Sequence, residues 1–368
     1  GVGTDNIDKM AATRLGIVVM NTPTGNTVST AEHALTLMMA LARNVAPAYQ
    51  SLVEGRWDRS KYMGTQLADK TLGIVGLGRI GQTVAARAKA MDMRLMGYDP
   101  FLSPERAKEL GIQTFPSVKE MLPHVDFITV HTPLTEETRN LIGFPELELL
   151  KPGVRLVNCA RGGIYQEEAL VEGLKSGRIA GVALDVFAEE PCTKSPLFGM
   201  PGVLCTPHLG ASTEEAQTQV AVEGVQLLVD YLTRGAIRHA VNMSSIDPQT
   251  LATMRQQLDV AYRLGRLHAQ MGRGAARRCR LVYRGEVAHK DTRLLSASFA
   301  AGLLEAALSG EVNIVNSELL LRERGIELIE ESRAELGDFT SLITAEVETD
   351  DGPTRLSEGE IVGWDVVE

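Results

Sequence analysis

The stretch Thr71-Leu72-Gly73-Ile74-Val75-Gly76-Leu77-Gly78-Arg79-Ile80-Gly81 decides the fold, because it joins an apolar run to a glycine-rich turn. Its first five residues are typical of a buried strand, and the G-x-G-x-x-G spacing that follows predicts the start of a helix over residues 80–91. Gly76 permits a tight turn, Gly78 allows a pyrophosphate to approach the backbone, and Gly81 lets the helix pack on the strand. Unpaired N–H groups at the helix start also attract anions. The stretch therefore predicts a dinucleotide-binding βαβ unit.

Short apolar runs alternate with helix-length segments between residues 16 and 208, and this alternation is typical of an α/β fold. Several runs are apolar throughout, as expected of parallel strands that are covered on both faces. The predicted fold is a Rossmann-like, doubly wound parallel sheet. Its strands are predicted at residues 16–21, 71–75, 94–98, 113–115, 127–130, 154–158, 180–185 and 203–206.

Two long helices are predicted to frame this sheet, and the last third of the chain has a different pattern. One helix covers residues 29–52; the other begins at Ser212, which has the spacing of a capping box with Glu215, and ends at Gly235. After Asn242 the pattern predicts a separate α+β unit without an internal repeat. Its predicted elements are helices at 251–271, 294–308 and 318–324, and strands at 280–283, 326–331, 342–349 and 361–367.

Length and composition exclude several classes of protein. A chain of 368 residues with 44% hydrophobic and 23% charged residues is expected to form more than one globular domain. Its net charge of −10 argues against nucleic-acid binding, and no apolar stretch approaches the ~20 residues that span a bilayer. The four cysteines lack C-x-x-C spacing, so we expect reduced thiols, no metal site and a cytoplasmic protein. Because the chain opens Gly1-Val2-Gly3 without Met, we also expect an N-terminal truncation.

The choice of cofactor depends on Asp99, which directly follows the next predicted strand and lies 18 residues after Gly81. A carboxylate at this place can accept hydrogen bonds from both hydroxyls of an adenosine ribose, and it would repel the 2′-phosphate of NADP. The predicted cofactor is therefore NAD. The structural alternative is that the glycines only shape a turn and that Asp99 caps the next segment.

Three polar side chains follow later strands, at the edge where open α/β sheets bind their ligands. His208 can accept the hydroxyl proton when a carbinol is oxidised, and Glu190 can orient the imidazole and stabilise its charged form. Arg161 can hold a substrate carboxylate with two parallel charge-assisted bonds. Taken singly, each residue also fits an ordinary loop or capping role, but the set of three after a dinucleotide motif favours hydride transfer.

These residues lie in motifs that resemble the D-isomer-specific 2-hydroxyacid dehydrogenases over about residues 1–242. The motifs include Asn21-Thr22-Pro23, His131-Thr132-Pro133-Leu134, Asn158-Cys159-Ala160-Arg161-Gly162-Gly163, Ala183-Leu184-Asp185-Val186-Phe187 and Pro207-His208-Leu209-Gly210. The resemblance implies that Arg161, Glu190 and His208 are catalytic. It implies an NAD site lined by Gly76, Gly78, Arg79, Ile80, Gly81, Asp99, Thr132, Cys159, Ala160, Asp185 and Gly210.

The resemblance also implies a domain organisation. Residues 1–23 and 212–243 would be the remnant of a flavodoxin-like substrate domain, and residues 24–211 the inserted NAD-binding domain. Residues 244–368 resemble the intervening regulatory α+β domain of long family members. In that domain an arginine cluster could bind an anionic effector or simply be solvated: Arg273, Arg277, Arg278, Arg280 and Arg284.

The activity implied is the NAD-dependent oxidation of 3-phospho-D-glycerate to 3-phosphooxypyruvate, the first step of L-serine biosynthesis. Arg59 and Lys61 match a basic segment that would contact a phosphorylated substrate across a homodimer, or they are an ordinary solvated loop. A homodimer or homotetramer is expected. Two alternatives stay open: a glyoxylate or hydroxypyruvate reductase or D-lactate-type dehydrogenase, and an NAD-sensing corepressor-like binding protein.

Overall fold

A computed structural model describes residues 1–246, 248–271, 274–308, 311–335 and 340–360. They form two compact units, one of residues 1–23 with 222 onward and one of residues 24–221. The helices are α1 Lys9–Arg14, α2 Thr27–Ala42, α3 Val45–Val53, α4 Arg79–Ala90, α5 Pro104–Leu110, α6 Val118–Met121, α7 Phe144–Leu147, α8 Glu167–Lys175, α9 Glu214–Arg234, α10 Pro248–Met271, α11 Thr292–Leu304 and α12 Ser317–Glu323. The strands are β1 Thr71–Val75, β2 Arg94–Tyr98, β3 Gln113–Thr114, β4 Phe127–Val130, β5 Val154–Asn158, β6 Ile179–Leu184, β7 Val203–Cys205, β8 Ala276–Gly285, β9 Glu327–Arg333, β10 Ser341–Thr349 and β11 Gly352–Glu360.

The unit of residues 24–221 contains a seven-stranded sheet in the order β3-β2-β1-β4-β5-β6-β7. Every neighbouring pair is parallel. Seven of the eight predicted strands match these strands to within one residue at each end. The predicted Rossmann-like parallel sheet is therefore confirmed.

Both faces of this sheet are buried, which explains why its strands have nearly continuous apolar sequences. In β5, Leu156 belongs to the core on one face and Val157 to the core on the other. In β6, Val182 and Ala183 alternate in the same way. Successive side chains of a strand point to opposite faces, so each strand contributes to two cores.

The predicted strand at residues 16–21 is wrong. Apart from the single bridge between Met20 and Ala240, this segment is extended without a strand partner in the described chain. Backbone pairing is limited to that bridge, where the amide of Asn21 donates to the carbonyl of His239 at 3.1 Å and the amide of Val241 donates to that of Val19 at 2.9 Å. The amide of Val19 donates to the side chain of Asn242 instead. An apolar run alone does not provide the partner that a strand requires.

The single helix predicted over residues 29–52 is two helices. Helix α2 ends before Arg43, and Asn44 then adopts the left-handed conformation with φ of 52° before α3 begins. Asn is one of the few residues other than glycine that enters this region readily. Pro47 lies in the first turn of α3, where its missing N–H costs no helical hydrogen bond.

The predicted cap of the second long helix is displaced by one residue. Helix α9 begins at Glu214, and the hydroxyl of Thr213, rather than that of Ser212, accepts a hydrogen bond from the amide of Ala216. Thr and Ser are both good capping residues, so the local pattern did not distinguish them.

The other unit contains a four-stranded sheet in the order β11-β10-β8-β9. Strand β10 is antiparallel to β11 and β8, and β8 is parallel to β9. The predicted α+β character is confirmed. Strand β11 was not predicted, and the strand predicted at 361–367 lies outside the described residues.

Helices α10 and α11 of this unit pack closely through two glycines. A Cβ atom on Gly302 would lie 2.0 Å from the carbonyl oxygen of Tyr262, and one on Gly265 would lie 2.1 Å from that of Phe299. Any larger side chain at these positions would separate the helices.

Several arginines of the predicted cluster form ion pairs across the four-stranded sheet. Arg278 contacts Glu327 at 2.7 Å, and Arg280 contacts Glu331 at 2.6 Å. Arg277 contacts Asp350 at 2.5 Å, whereas Arg273 lies outside the described residues. An effector would therefore have to compete with carboxylates already bound to these arginines.

The predicted division between residues 212–243 and residues 244–368 stays a prediction, as does the flavodoxin-like character of the first of these parts.

In the described part of the chain, no helix has both the length and the apolar character needed to cross a membrane.

Candidate active site

The candidate site lies at the carboxyl edge of the seven-stranded sheet, where β1 and β4 are neighbours. The chain leaves β1 toward β2 on one side and continues from β4 toward β5 on the other. Open α/β sheets bind ligands in the crevice formed at such a point.

The glycine turn after β1 has the backbone that a dinucleotide requires. Gly76 has φ of 87°, and a Cβ at Gly81 would lie 2.0 Å from the carbonyl oxygen of Gly76. By contrast, a Cβ at Gly78 would have no atom within 4 Å, so the space beside it is open. Arg79 and Ile80 are the first residues of α4, whose N-cap Gly78 has no side chain to bind the first amides. The open space and the helix start together fit a phosphate group.

Asp99 is held directly beside this turn. Its Oδ2 accepts a hydrogen bond from the amide of Leu77 at 2.7 Å, and its Oδ1 accepts one from the amide of Phe101 at 2.8 Å. The carboxylate is thereby fixed at the end of β2, one strand away from the glycine turn. Each oxygen retains a lone pair for a further donor such as a ribose hydroxyl.

Two buried polar atoms at the end of β4 have no partner in the described chain: Nδ1 of His131 and Oγ1 of Thr132. The other ring nitrogen of His131 is 3.0 Å from the Thr129 hydroxyl. Burial lowers the pKa of His131 to about 4, so the ring is neutral at pH 7. Buried polar atoms normally have partners, so these atoms indicate a ligand or water at the turn beside Gly76. With the open glycine turn and the fixed Asp99, they fit a bound dinucleotide.

The loop after β5 presents Arg161. The side chain of Asn158 braces this loop by accepting from the amide of Ala160 at 2.9 Å and donating to the carbonyl of Arg161 at 2.8 Å. Cys159 is buried, and burial raises the pKa of its thiol well above the usual range. The thiol is therefore protonated and unreactive.

Gly162 brings the Arg161 loop against the loop after β6. A Cβ at Gly162 would lie 1.9 Å from the carbonyl carbon and oxygen of Phe187. The amide of Phe187 in turn donates to Oε1 of Glu190 at 3.0 Å. The close packing of Gly162 on Phe187 therefore brings the loop that carries Arg161 next to the loop that carries Glu190. Sequence reasoning missed this role, since a glycine after a motif residue carries no signal of its distant neighbour.

The loop after β7 brings His208 to Glu190. Nδ1 of His208 lies 2.5 Å from Oε2 of Glu190, and the two side chains are 50% and 32% exposed. His208 has φ of 55°, which is unusual for a residue other than glycine. Both side chains are therefore partly open to solvent, and the opposite nitrogen, Nε2, points away from the glutamate.

Asp185 is fully buried behind this loop. Its carboxylate accepts hydrogen bonds from the Thr206 hydroxyl at 2.6 Å and from the amides of Leu209 and Gly210 at 2.7 and 2.8 Å. Burial alone would raise the pKa of Asp185, but the hydrogen bonds from His33, Thr206 and Leu209 hold it below its ordinary value. Sequence reasoning missed His33, which lies within the apolar pattern of α2.

The two basic residues predicted for substrate binding lie elsewhere in this unit. Arg59 and Lys61 are exposed on the 3₁₀ turn Arg59–Tyr62, where the Lys61 ammonium lies 5.9 Å from the ring centroid of Tyr62. Their predicted contact with a substrate phosphate stays a prediction.

Comparison with known proteins identifies the class that this fold and site define. Residues 35–210 match the family described as D-isomer specific 2-hydroxyacid dehydrogenase, NAD binding domain, and the chain belongs to this family. Residues 253–364 match the family described as D-3-phosphoglycerate dehydrogenase intervening domain. The expected cofactor class is confirmed, because the matched domain of residues 35–210 is an NAD-binding domain.

Several similar curated proteins are named D-3-phosphoglycerate dehydrogenase. The chain is 46% identical to a D-3-phosphoglycerate dehydrogenase of Synechocystis over 92% of its own length, and 44% identical to one of Archaeoglobus fulgidus over 95%. It covers 61% and 66% of these relatives, respectively, so it spans just under two thirds of their length.

Solved structures extend the similarity to other members of the family. A glyoxylate reductase from Paecilomyes thermophila has a TM-score of 0.61 and 35% identity, with 66% of this chain and 73% of that chain covered. An NAD-dependent formate dehydrogenase from Staphylococcus aureus in complex with NAD has a TM-score of 0.62 and 35% identity, with 67% and 74% covered.

Proposed function

We propose that this chain catalyses the NAD-dependent oxidation of 3-phospho-D-glycerate to 3-phosphooxypyruvate, the first step of L-serine biosynthesis. The observation that carries the proposal is the 2.5 Å contact between Nδ1 of His208 and Oε2 of Glu190 at the edge of an NAD-binding sheet. An imidazole paired with a carboxylate beside a dinucleotide crevice is the arrangement that oxidation of a hydroxyl group requires.

His208 is the proposed proton acceptor. Because its Nδ1 faces a carboxylate, Nδ1 carries the hydrogen and donates it to Glu190, and Nε2 keeps a lone pair. In the oxidation, the carbinol O–H bond breaks and its proton goes to Nε2 as the C=O double bond forms. When NAD is bound, its nicotinamide ring accepts the hydride that leaves the carbinol carbon.

Glu190 is the proposed partner of the charged imidazole. Its Oε1 is fixed by the amide of Phe187, so Oε2 is already aimed at His208 before the proton arrives. A fixed negative charge stabilises the developing imidazolium without reorganising during the reaction.

Arg161 is the proposed substrate-binding residue. Its guanidinium can bind the substrate carboxylate with two parallel hydrogen bonds and draw electron density from the adjacent carbon. The loop that carries it is braced by Asn158 and by the close approach of Gly162 to Phe187, so the guanidinium is presented from a defined backbone.

The proposed NAD site follows the sheet edge. The amides at Gly78, Arg79 and Ile80 would bind the pyrophosphate, and Asp99 would bind the adenosine ribose and disfavour NADP. Gly76 and Gly81 shape the turn. The remaining proposed contacts come from the later strand ends: Thr132, Cys159, Ala160, Asp185 and Gly210.

The phosphorylated substrate is favoured over the alternatives by the C-terminal part of the chain. A match to the intervening domain of D-3-phosphoglycerate dehydrogenases supports this substrate over glyoxylate, hydroxypyruvate or D-lactate, and supports an enzyme over a corepressor-like protein. A homodimer or homotetramer in the cytoplasm belongs to the same proposal. Association between copies of the chain is supported by exposed apolar side chains at Tyr49, Leu52 and Trp57, of which Trp57 is 79% exposed.

A substrate panel tests the proposal. The purified chain is incubated with NAD and 3-phospho-D-glycerate, D-glycerate or D-lactate, and NADH is followed by its absorbance. We expect the highest kcat/KM with the phosphorylated acid. Faster turnover of an unphosphorylated acid would indicate another dehydrogenase of the family, and NAD binding without turnover of any acid would favour the corepressor-like alternative.

A further inference from the structure

His33 is a largely buried histidine that the proposed chemistry does not use. It lies on α2, and its Nε2 is 3.1 Å from Oδ1 of Asp185 and 3.1 Å from the hydroxyl oxygen of Thr206. The side chain of Asp185 is completely buried, and that of His33 is 16% exposed. A polar contact this far from solvent fixes the groups that form it.

The direction of these hydrogen bonds follows from the donors that are present. The hydroxyl of Thr206 donates to Oδ1 of Asp185 at 2.6 Å, so its oxygen is available as an acceptor toward His33. Nε2 of His33 therefore carries a hydrogen and donates to both oxygens. The histidine thus binds the carboxylate directly and also through the threonine.

Asp185 also holds the loop that carries His208. Three consecutive amides donate to Asp185. The amide of His208 donates to the backbone carbonyl oxygen of Asp185 at 2.9 Å. The amides of Leu209 and Gly210 donate to the carboxylate oxygens Oδ1 and Oδ2 of Asp185. His208 itself has the left-handed φ of 55°. A residue other than glycine stays in this region only when its surroundings hold it there.

We propose that His33 is a positioning residue for the dehydrogenase step. It orients the Asp185 carboxylate, and that carboxylate holds His208 in its left-handed conformation toward Glu190. This inference rests on the proposed function, because the conformation of His208 affects turnover only if His208 accepts the proton.

A metal ion is the competing explanation for this cluster. His33, Cys159 and Asp185 each offer one ligand atom within 4.8 Å of the others. However, the Asp185 carboxylate already accepts bonds from Thr206, His33 and two amides, and the buried thiol of Cys159 is protonated. A hydrogen-bonded clamp explains these contacts without a metal, and a chelator distinguishes the two.

The test uses hydrogen exchange at the amides of Leu209 and Gly210 in the purified chain, without cofactor or substrate. His33→Leu removes the ring nitrogen, whereas His33→Gln retains an amide nitrogen that can reach the position of Nε2. Glu32→Gln is the matched control, since Glu32 is the preceding residue on α2 and its side chain is 59% exposed.

We expect His33→Leu to accelerate exchange at these two amides by about tenfold, the effect of losing one hydrogen bond. His33→Gln and Glu32→Gln should match the wild type. If His33→Leu does not fold, Thr206→Val removes the connecting hydroxyl and should have the same effect. Unchanged exchange in the variant that folds would overturn the inference, as would faster exchange of the wild type in a chelator.

Turnover provides the second readout. His33→Leu should lower kcat by about tenfold or more even when NAD is saturating, and His33→Gln should restore kcat. A lower NAD affinity with normal kcat would contradict a positioning role. Absence of NADH formation by the wild type would contradict the proposed function alone, because the exchange measurement needs no turnover.

Discussion

His208 and Glu190 lie 18 residues apart on different loops, and their side chains meet with Nδ1 and Oε2 separated by 2.5 Å. The contact depends on two sheet strands, β6 and β7, that end side by side. It also depends on the hydrogen bond from the amide of Phe187, which fixes the other carboxylate oxygen. The fold itself therefore holds the two side chains together.

Glu190→Gln should lower kcat by about ten- to hundredfold, because a neutral amide stabilises an imidazolium less than a carboxylate does. The KM for NAD should stay unchanged, since the glutamate does not belong to the proposed dinucleotide contacts. Steady-state rates of NADH formation measure both quantities. The control is Glu189→Gln, an exposed neighbour, and equal rates in the two variants would contradict the role of Glu190.

Two glycines of the same turn should respond differently to a methyl group. Gly78→Ala should leave the unfolding free energy nearly unchanged, because the added Cβ has open space, but it should weaken NAD binding by about tenfold or more. Gly81→Ala should destabilise the chain by about 2–4 kcal/mol, because the Cβ would meet the carbonyl oxygen of Gly76. Denaturant unfolding and NAD calorimetry measure these effects. Equal NAD affinity in Gly78→Ala and the wild type would contradict the proposed phosphate site.

His131 should make the chain sensitive to mild acid. Its pKa is about 4 in the folded chain because of burial, against an ordinary value of 6.5. Between these values the unfolded chain binds a proton that the folded chain does not bind. Stability is therefore independent of this group above pH 6.5 and falls as the pH decreases toward 4, by about 2 kcal/mol at pH 5.

Urea unfolding of the cofactor-free chain at pH 8 and pH 5 tests this prediction. His131→Gln keeps a hydrogen-bonding group near Thr129 and cannot titrate, so its stability should change less between the two pH values. His289→Asn alters an exposed histidine and should behave as the wild type. The same loss of stability in His131→Gln and the wild type would contradict the assignment.

Gly302→Ala should destabilise the C-terminal α+β part by about 2–4 kcal/mol, because the new Cβ would lie 2.0 Å from the carbonyl oxygen of Tyr262. We expect faster proteolysis of α10 and α11, while the seven-stranded sheet and NAD binding remain unchanged. Mass spectrometry of the fragments identifies the segments that are cut. Wild-type resistance to the protease would show that the helices can separate at little cost.

The seven-stranded sheet was predictable because its signals are local. Buried parallel strands have short apolar runs ended by Gly or Pro, and the runs at β1, β2, β4 and β5 coincide with the observed strands. The same rule failed at residues 16–21, since an apolar run does not reveal whether a neighbouring strand exists. It also missed the break at Asn44, where a left-handed residue separates two helices that share an apolar pattern.

The three candidate catalytic residues were predictable from the sequence, whereas the residues that position them were not. Arg161, Glu190 and His208 each follow a strand, and the ends of parallel strands meet at one edge. His33 is 152 residues from Asp185, and no local spacing signals that contact. The sequence also gives no signal of the role of Gly162, because that role is its close contact with the backbone of Phe187. Contacts between residues far apart in the sequence become visible only in the folded structure.

The most direct test of the proposed function is the rate of NADH formation from 3-phospho-D-glycerate and NAD by the wild type and by His208→Asn. The proposed role of His208 predicts measurable turnover by the wild type and a kcat lower by about 10²–10⁴ in the variant, with similar calorimetric affinity for NAD. A variant that retains the wild-type kcat, or a wild type that binds NAD and oxidises no 2-hydroxy acid, would contradict it.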